Sequence, residues 1–365
     1  FQNSEGFRRY NALVRNATIV NVARDTFSTN QVRNNTASTN VNFLVSGDGG
    51  LSLNVTPAAA AVLLGRPLAE ARRGQAGRRV SSDIRIRETH RALGRNVVAI
   101  IPGSDPARRG EYVAIGAHND HIGFSFRPVD HDSIRFYNQI VRPLGADSPN
   151  RQTTDAEHAA VRALLDSVRA LRPARPDSIY NGADDDGSGS MALLELAEAF
   201  STAPERPRRS MLLVWHSGEE RGMWGSSFYT DNPTVSRDSI VAQLNLDMIG
   251  RGAPEDITGS AKWGGVLHGD DRYLQVVGSR RLSTELGDLI DAENGIRARP
   301  FRLDYAMDAN GHPQNIYCRS DHYEYSRYGI PIAFFTTGGH SDYHQVTDEP
   351  QYIRYDHFAE IVRFI

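Results

Sequence analysis

Residues 211–220 are Met-Leu-Leu-Val-Trp-His-Ser-Gly-Glu-Glu, an apolar run followed by a short polar turn and two acids. A short apolar run bounded by turn residues is typical of a buried strand. Residues 241–249 have a similar arrangement, with Asp247 near the end of the apolar run. Both segments therefore predict a buried strand that carries acidic groups at or just beyond its carboxyl end.

Similar apolar runs alternate with helical periodicity over most of the chain. We predict strands at 96–102, 111–117, 211–215, 241–249 and 330–336, and helices at 155–171, 188–200, 224–230 and 282–292. Strands that alternate with helices indicate a sheet covered on both faces. The predicted fold class is α/β: a three-layer mixed, mainly parallel sheet with helices on both faces, plus a smaller β-rich N-terminal unit.

The N-terminal unit is predicted to cover residues 1–90. It contains strand-like runs at 17–22, 41–45 and 51–55, an Asn/Thr/Ser-rich stretch at 26–40 and a small-residue helix near 56–64. The second unit is predicted to cover 91–365, with an insertion at about 124–180. The insertion includes the helix at 155–171, and it is either a lid or specificity wall beside the site or an additional packed surface helix.

Composition excludes some classes of function. The chain has 365 residues and a formal net charge of −3, which gives no basis for nucleic-acid binding. No apolar stretch approaches the roughly 18 residues that a membrane span requires. Cys318 is the only cysteine, so no disulfide can form within the chain. Because the sequence begins with Phe1, we expect processing or missing residues at its ends, and the lack of a signal peptide does not argue against export.

Five short segments each contain a side chain that can bind a metal ion. Four of these side chains lie at or near the end of an apolar run, whereas Asp185 precedes a helix in the run Gly-Ala-Asp-Asp-Asp-Gly-Ser-Gly. Ligands in open α/β sheets bind beyond the carboxyl ends of the strands, so these side chains are expected to meet there. The candidate ligands are His118, Asp185, Glu220, Asp247 and His344.

Two histidines and three acids suit a pair of divalent cations. Zinc accepts imidazole nitrogen and carboxylate oxygen, and a carboxylate can bridge two ions roughly 3.5–4 Å apart. Asp185 is the best candidate for the bridge, because Gly187 and Gly189 allow a tight entry into the following helix. Its neighbours Asp184 and Asp186 are expected to face solvent or to cap that helix. The sequence therefore predicts a two-metal hydrolase.

Glu219 and Glu220 are adjacent, and their roles have to be separated. Neighbouring side chains of an extended segment point in different directions, so one can bind a metal while the other faces the substrate. A carboxylate near two cations that is not itself a ligand can act as a general base. We assign Glu220 as the ligand and Glu219 as the base, and the reverse assignment is the alternative.

Each candidate alone has an ordinary structural explanation. A single histidine among the 12 is more often a surface or core residue than a ligand. An Asp-rich turn is commonly a helix start or a calcium-type loop, and Asp247 could be a buried N-cap. The combination of five such segments, each near the end of an element, favours the metal-site interpretation.

These segments resemble the di-zinc aminopeptidases of metallopeptidase family 28. The resemblance covers about residues 96–365 and rests on runs at 116–121, 181–189, 217–226, 245–250, 320–325, 329–331 and 343–345. It implies a zinc-exopeptidase-like fold with two Zn ions, one bound by His118 and Asp247 and the other by Glu220 and His344. It also implies that Asp185 is the bridge and Glu219 the base.

The resemblance also implies secondary roles. Asp120 is placed to accept the second ring N–H of His118, and Tyr343 to reach the oxyanion of the reaction intermediate. Asp321 and His322 correspond to a motif that lines the substrate pocket. Some members have a non-proline cis peptide at Asp185–Asp186. Residues 1–90 loosely resemble part of a protease-associated domain, and the family suggests a secreted or periplasmic location.

The predicted function is hydrolysis of N-terminal residues from a peptide or small aminoacyl substrate through a hydroxide that bridges two zinc ions. A dipeptidase, carboxypeptidase or amidohydrolase could use the same metals. A glutaminyl cyclase is a weaker alternative, because a one-zinc site does not need a full bridged ligand set. An inert binding module of the same fold is the alternative from a different class, and the intact ligands and Glu219 argue against it.

Overall fold

The computed structural model describes residues 19–22, 52–72, 74–79, 94–254, 256–258 and 267–365. The chain divides into two compact units, residues 1–91 and 92–365. In the first unit, strands β1 (Ile19–Val22) and β2 (Ser52–Val55) pair in parallel, and helix α1 (Pro57–Leu64) follows β2. The strand predicted at 41–45 lies outside the described residues.

The second unit contains most of the regular structure. Its strands are β3 (Val97–Ile101), β4 (Tyr112–His118), β5 (Gly123–Asp130), β6 (Pro176–Tyr180), β7 (Ser210–His216), β8 (Ile240–Leu246), β9 (Ile257–Thr258), β10 (Leu267–His268), β11 (Tyr273–Gly278), β12 (Arg302–Asp304) and β13 (Ile332–Thr336). Its helices are α2 (His131–Val141), α3 (Asp155–Arg169), α4 (Gly187–Thr202), α5 (Trp224–Asp231), α6 (Thr284–Gly295), α7 (His322–Ser326) and α8 (Tyr355–Phe364).

Seven of these strands form one mixed sheet in the order β12-β11-β13-β8-β4-β7-β3. The four central strands β13, β8, β4 and β7 are mutually parallel, while β3 and β11 run antiparallel to their neighbours β7 and β13. All seven residues of β7 are buried, as expected for a strand covered on both faces. The carboxyl ends of the four central strands therefore meet at one edge of the sheet.

Helices cover both faces of this sheet. One face packs against α4, α6 and α8 through Leu193, Ile290 and Ile361. The other face packs against α5 and α7 through Tyr229 and Tyr325. The predicted three-layer α/β architecture with a mixed, mainly parallel sheet is confirmed. None of the helices in the described residues is long and apolar enough to cross a bilayer.

The predicted strand boundaries differ from the observed ones by more than one residue at two strand ends. Strand β8 ends at Leu246 rather than at residue 249, because the chain turns at Met248, whose φ is 60°. Strand β13 begins at Ile332 rather than at residue 330. Pro331 has no backbone N–H for a ladder hydrogen bond, which explains the later start.

The insertion contains more regular structure than the sequence analysis predicted. Strands β5 and β6 form an antiparallel ribbon at its two ends, and α2 and α3 lie between them. Only α3 was predicted. The start of α2 depends on a local contact, since the Asp130 side chain accepts a hydrogen bond from the backbone N–H of Ser133. Asp132 is buried and accepts hydrogen bonds from Arg172 and Arg175. These bonds connect α2 to the segment between α3 and β6.

Helix α4 provides a direct test of the packing. Leu193 is fully buried against the sheet, whereas its neighbour Leu194 is 51% exposed. We expect Leu193→Ala to lower the free energy of unfolding by about 2–5 kcal/mol, because it leaves a cavity in the core. Leu194→Ala is the matched control and should change it by no more than about 0.5 kcal/mol. All three tryptophans lie in the second unit, so urea unfolding followed by tryptophan fluorescence measures its stability. Equal effects of the two substitutions would contradict this packing.

Candidate metal centre

The five predicted ligands lie at the carboxyl edge of the parallel strands. His118 is the last residue of β4, and Asp247 directly follows β8. Glu220 follows β7, His344 lies in the loop after β13, and Asp185 lies in the turn before α4. Segments far apart in sequence are thus brought to one place by the parallel arrangement of the strands.

Asp185 lies between two sets of side chains. Its Oδ1 is 3.1 Å from Nε2 of His118, which is 3.8 Å from Oδ1 of Asp247. Its Oδ2 is 3.0 Å from Nε2 of His344, which is also 3.0 Å from Oε2 of Glu220. Asp185 therefore joins two groups that could each hold a cation: the His118 group (His118, Asp185, Asp247) and the His344 group (Asp185, Glu220, His344).

The donor atoms fit divalent cations. Oδ2 of Asp185 and Oε1 of Glu220 are buried and have no hydrogen-bond partner among the described residues. Burial raises the pKa of Asp247, which means that its ionised form needs compensating positive charge nearby. Imidazole and carboxylate are the ligands that zinc accepts. Two cations that share Asp185 would supply both the missing partners and the missing charge.

The carboxylates of the two groups favour the protonated form of His118 and His344. Burial disfavours the charged form of His118, but the carboxylates of Asp185 and Asp247 outweigh burial and raise its pKa well above the ordinary value. The same competition, with Asp185 and Glu220 as the carboxylates, raises the pKa of His344 to about 10. Binding of a cation would release these protons, because only neutral imidazole can be a ligand.

The acids on either side of Asp185 are buried, so the expectation that they face solvent is wrong. Asp186 does cap α4, since its Oδ1 accepts from the N–H of Gly189, and its Oδ2 accepts from the N–H of His118. Oδ1 of Asp184 accepts from the N–H of Gly250. The two acids therefore connect the turn to the ends of β4 and β8. The peptide bond between Asp185 and Asp186 is cis.

Two further side chains orient the candidate ligands through hydrogen bonds. Oδ2 of Asp348 accepts hydrogen bonds from the backbone N–H groups of Asp184 and Asp185, at 3.0 and 3.1 Å. The hydroxyl of Ser320 donates to Oδ2 of Asp247 at 2.6 Å. Contacts of this kind orient metal ligands and influence metal affinity. Neither Asp348 nor Ser320 stands out in the sequence as a supporting residue.

Asp120 connects the His118 group to the loop after β7. Its backbone carbonyl oxygen lies 2.9 Å from Nδ1 of His118. Asp120 is therefore the residue that faces this ring nitrogen, as predicted, but through its main chain and not through its carboxylate. The Asp120 carboxylate accepts instead from the backbone N–H groups of Gly218 and Glu219, at 2.7 and 3.0 Å.

Glu219 and Glu220 occupy a single 3₁₀ turn and not an extended segment. The turn is possible because Gly218 and Gly222, on either side, have φ values of 82° and 104°. Glu220 faces the His344 group, whereas Glu219 lines the neighbouring cleft. Burial and nearby carboxylates, chiefly Asp321, raise the pKa of Glu219 well above its ordinary value.

The cleft beside the two groups has an acidic end and an apolar wall. Asp185, Glu219 and Asp247 line it together with Tyr343 and His344. Its apolar lining residues are Leu144, Met248, Met307, Ile316 and Phe334. The shape and lining suit a substrate with an apolar side chain next to a polar reacting group.

Arg319 is a cleft residue that the sequence analysis did not identify. Its Nη2 donates to the hydroxyl oxygen of Tyr343 at 3.2 Å, and its Nη1 pairs with Asp147 at 2.6 Å. Asp147 and Leu144 come from the insertion, which therefore forms part of the cleft wall. No local pattern in the sequence indicates the pair of Arg319 with Asp147, because the two residues are 172 positions apart.

The structure places Asp321 and His322 behind the cleft and not in its lining. Both are fully buried. Oδ2 of Asp321 lies 3.3 Å from Nδ1 of His216, and the ring of His322 stacks on Phe334 at 4.6 Å between centroids. Direct contact with substrate does not follow from these positions. Phe334 itself lines the cleft, so His322 supports the wall from the other side.

Two curated proteins share sequence similarity with parts of this chain. Leupeptin-inactivating enzyme 1 of Streptomyces exfoliatus is 42% identical over 81 residues, which are 21% of this chain and 18% of that protein. Leucine aminopeptidase 1 of Aspergillus fumigatus is 28% identical over 187 residues, which are 49% of this chain and 43% of that protein. The chain thus spans less than half the length of these curated relatives.

Among solved structures, the aminopeptidase from Aneurinibacillus sp. strain AM-1 aligns with 18% identity and a TM-score of 0.44, covering 74% of this chain and 45% of that one. The sequence model of Peptidase family M28 matches residues 96–365. That range is more than half of the chain and includes both candidate metal groups and the cleft. The protein therefore belongs to Peptidase family M28.

Proposed function

We propose that this protein is a zinc-dependent aminopeptidase that removes N-terminal residues from peptides or small aminoacyl substrates. Two zinc ions would be held by the His118 group and the His344 group. The observation that carries the proposal is the position of Asp185, whose Oδ1 lies beside His118 and whose Oδ2 lies beside His344. Membership of a peptidase family and similarity to leucine aminopeptidase 1 support the peptide bond as the target.

The zinc ions, when bound, supply Lewis-acid activation of a water molecule and of the scissile carbonyl. Glu219 is the proposed general base, which accepts the proton of the attacking water and returns it to the leaving amine. Burial, which raises the pKa of Glu219, favours uptake of a proton by this carboxylate. Tyr343 is the proposed donor to the developing oxyanion.

The contacts of Arg319 support this role of Tyr343. The guanidinium can only donate, so the tyrosine oxygen accepts from Arg319 and its own proton is directed elsewhere. Burial raises the pKa of Tyr343 above its ordinary value, and the hydroxyl therefore keeps its proton at neutral pH. A neutral hydroxyl held in this way is a suitable donor to an oxyanion.

We expect a free amino terminus to bind at the metal centre. Asp185 and Asp247 are proposed zinc ligands, which leaves Glu219 as the lining carboxylate beside the ions that can accept a hydrogen bond from a substrate amino group. Arg319 is engaged by Asp147 and Tyr343, and this disfavours a carboxypeptidase, which needs a cation for the substrate carboxylate. Dipeptidase and amidohydrolase activities and an inert binding module are outcomes that the experiments below distinguish. A secreted or periplasmic location stays a prediction from the family resemblance.

The roles of the two adjacent glutamates can be separated by a matched pair of variants. We expect Glu219→Gln to lower kcat by about 10²–10⁴-fold with zinc content unchanged, because the substitution removes a proton acceptor but no metal ligand. Glu220→Gln should lose zinc from the His344 group. The number of zinc ions per protein is measured by atomic emission after dialysis. The kcat is measured with leucine p-nitroanilide as the substrate. Loss of zinc in the Glu219→Gln variant would reverse the assignment.

Exopeptidase selectivity can be tested with blocked and free substrates. We expect turnover of leucine p-nitroanilide and none of its N-acetyl derivative, since acetylation removes the free amino group that is expected to bind at the metal centre. Chelation should abolish this turnover, and added zinc should restore it. Comparable rates on both substrates would indicate an amidohydrolase. Turnover that survives complete removal of metal would contradict the proposal.

The proposed role of Tyr343 predicts a specific kinetic effect. Tyr343→Phe should lower kcat by about 10²–10³-fold with little change in KM, because it removes a donor used in the transition state. Tyr355→Phe is the control, since Tyr355 is exposed and lies outside the cleft. Circular dichroism and zinc content establish that the variants are intact. A change in KM alone would mean that Tyr343 binds substrate without stabilising the oxyanion.

A further inference from the structure

His121 is a buried histidine for which the sequence analysis proposed no role. It follows β4 by three residues and lies against the His344 group. Its Nδ1 is 2.7 Å from Oε1 of Glu220 and 3.8 Å from Oδ2 of Asp185. Its side chain is 9% exposed. The ring therefore presents one nitrogen to the same carboxylates that face His344.

The contacts of this ring are not those of a histidine held by hydrogen bonds. Both Nδ1 and Nε2 are buried, and neither has a hydrogen-bond partner in the part of the chain that the structure describes. Nδ1 is close to Glu220 without the alignment that a hydrogen bond requires. A buried polar atom without a partner is costly, so this arrangement needs an explanation.

His131 is a buried histidine whose ring nitrogens, in contrast, do have hydrogen-bond partners. Its Nδ1 lies 3.0 Å from Oδ2 of Asp177 and its Nε2 lies 3.4 Å from the hydroxyl of Tyr352, both in hydrogen-bond geometry. Its two nitrogens are therefore satisfied within the protein. Those of His121 are not.

The backbone makes room for the ring of His121. A Cβ atom on Gly182 would lie 2.6 Å from Cγ of His121 and 2.3 Å from the carbonyl oxygen of Asp185. Gly182 also has a φ of 60°, which favours glycine. The rings of His121 and His344 meet at 76°, with centroids 5.5 Å apart. Two imidazoles that converge edge to face on shared carboxylates are arranged like ligands of one ion.

We infer that His121 is a fourth protein ligand of the ion in the His344 group, so that the two ions are held unequally. This inference rests on the proposed two-zinc function. Three side chains hold the ion of the His118 group, and four hold the ion of the His344 group. Zinc is usually four-coordinate, and a catalytic zinc keeps a position open. The ion of the His118 group is therefore the one with an open position, and the ion of the His344 group is the more tightly held.

Zinc affinity measured by competition with a chromophoric chelator tests the inference. The full chain should bind two zinc ions, with the tighter one in the His344 group. His121→Asn should weaken the binding of one zinc ion by about 10–100-fold and leave the affinity for the other ion unchanged. His357→Asn is the matched control, because His357 is also buried and its Nδ1 bonds to the carbonyl of Arg251, which belongs to neither group. It should bind zinc like the unmodified protein.

X-ray absorption of the unmodified two-zinc protein gives a second readout that needs no variant to fold. It should detect three imidazole ligands in total for the two ions, from His118, His121 and His344. Two imidazoles, together with unchanged zinc affinity in His121→Asn, would overturn the inference and leave the proposed function intact. A chain that binds no zinc, or that keeps its turnover after complete chelation, would overturn the proposed function and the inference with it.

Discussion

The site depends on one electrostatic constraint: several carboxylates are buried within a few ångströms of one another and need positive charge. Asp185, Glu219, Glu220 and Asp247 converge at the carboxyl edge of the sheet, and burial raises the pKa of two of them, Glu219 and Asp247. The same carboxylates raise the pKa values of His118 and His344, which favours the positively charged form of both imidazoles. Cations bound in place of the imidazole protons would stabilise the same arrangement, and metal binding would thereby be coupled to local folding.

The rest of the second unit keeps these charges in place. Parallel strands bring four loops to one edge, and the acids next to Asp185 connect its turn to the backbone of β4 and β8. Asp348 fixes the turn from behind through two backbone N–H groups. Backbone hydrogen bonds thus fix the turn that carries Asp185. A site of this kind loses little conformational entropy when a cation binds.

The sequence was sufficient to predict the parts of the site that depend on local patterns. Apolar runs that end in His118 or just before Asp247 indicate both a strand and a ligand at its carboxyl end, and the structure brings these residues together. Contacts between distant segments leave no local pattern, and for this reason His121, Arg319 and Asp348 were missed.

Asp321 shows the limit of a motif that is read without its geometry. The family motif that contains it does reach the cleft, but through its neighbour Ser320, which lines the cleft. Adjacent residues at the start of a helix point in different directions, and Asp321 is turned inward to His216. A motif therefore locates a segment beside the site, whereas the side chain that faces the substrate depends on the local backbone.

The insertion connects the wall of the cleft with the loop that carries His344. Its helix α2 carries Arg135, which pairs with Asp342 in the loop of His344, and the N–H of Ala146 donates to the carbonyl of Tyr343 at 3.0 Å. Asp147 reaches the same tyrosine through Arg319. The segment that forms one wall of the cleft therefore also holds the loop with a metal ligand and the proposed oxyanion donor. A change in the insertion cannot alter the cleft alone, because the same hydrogen bonds determine the geometry of the His344 group.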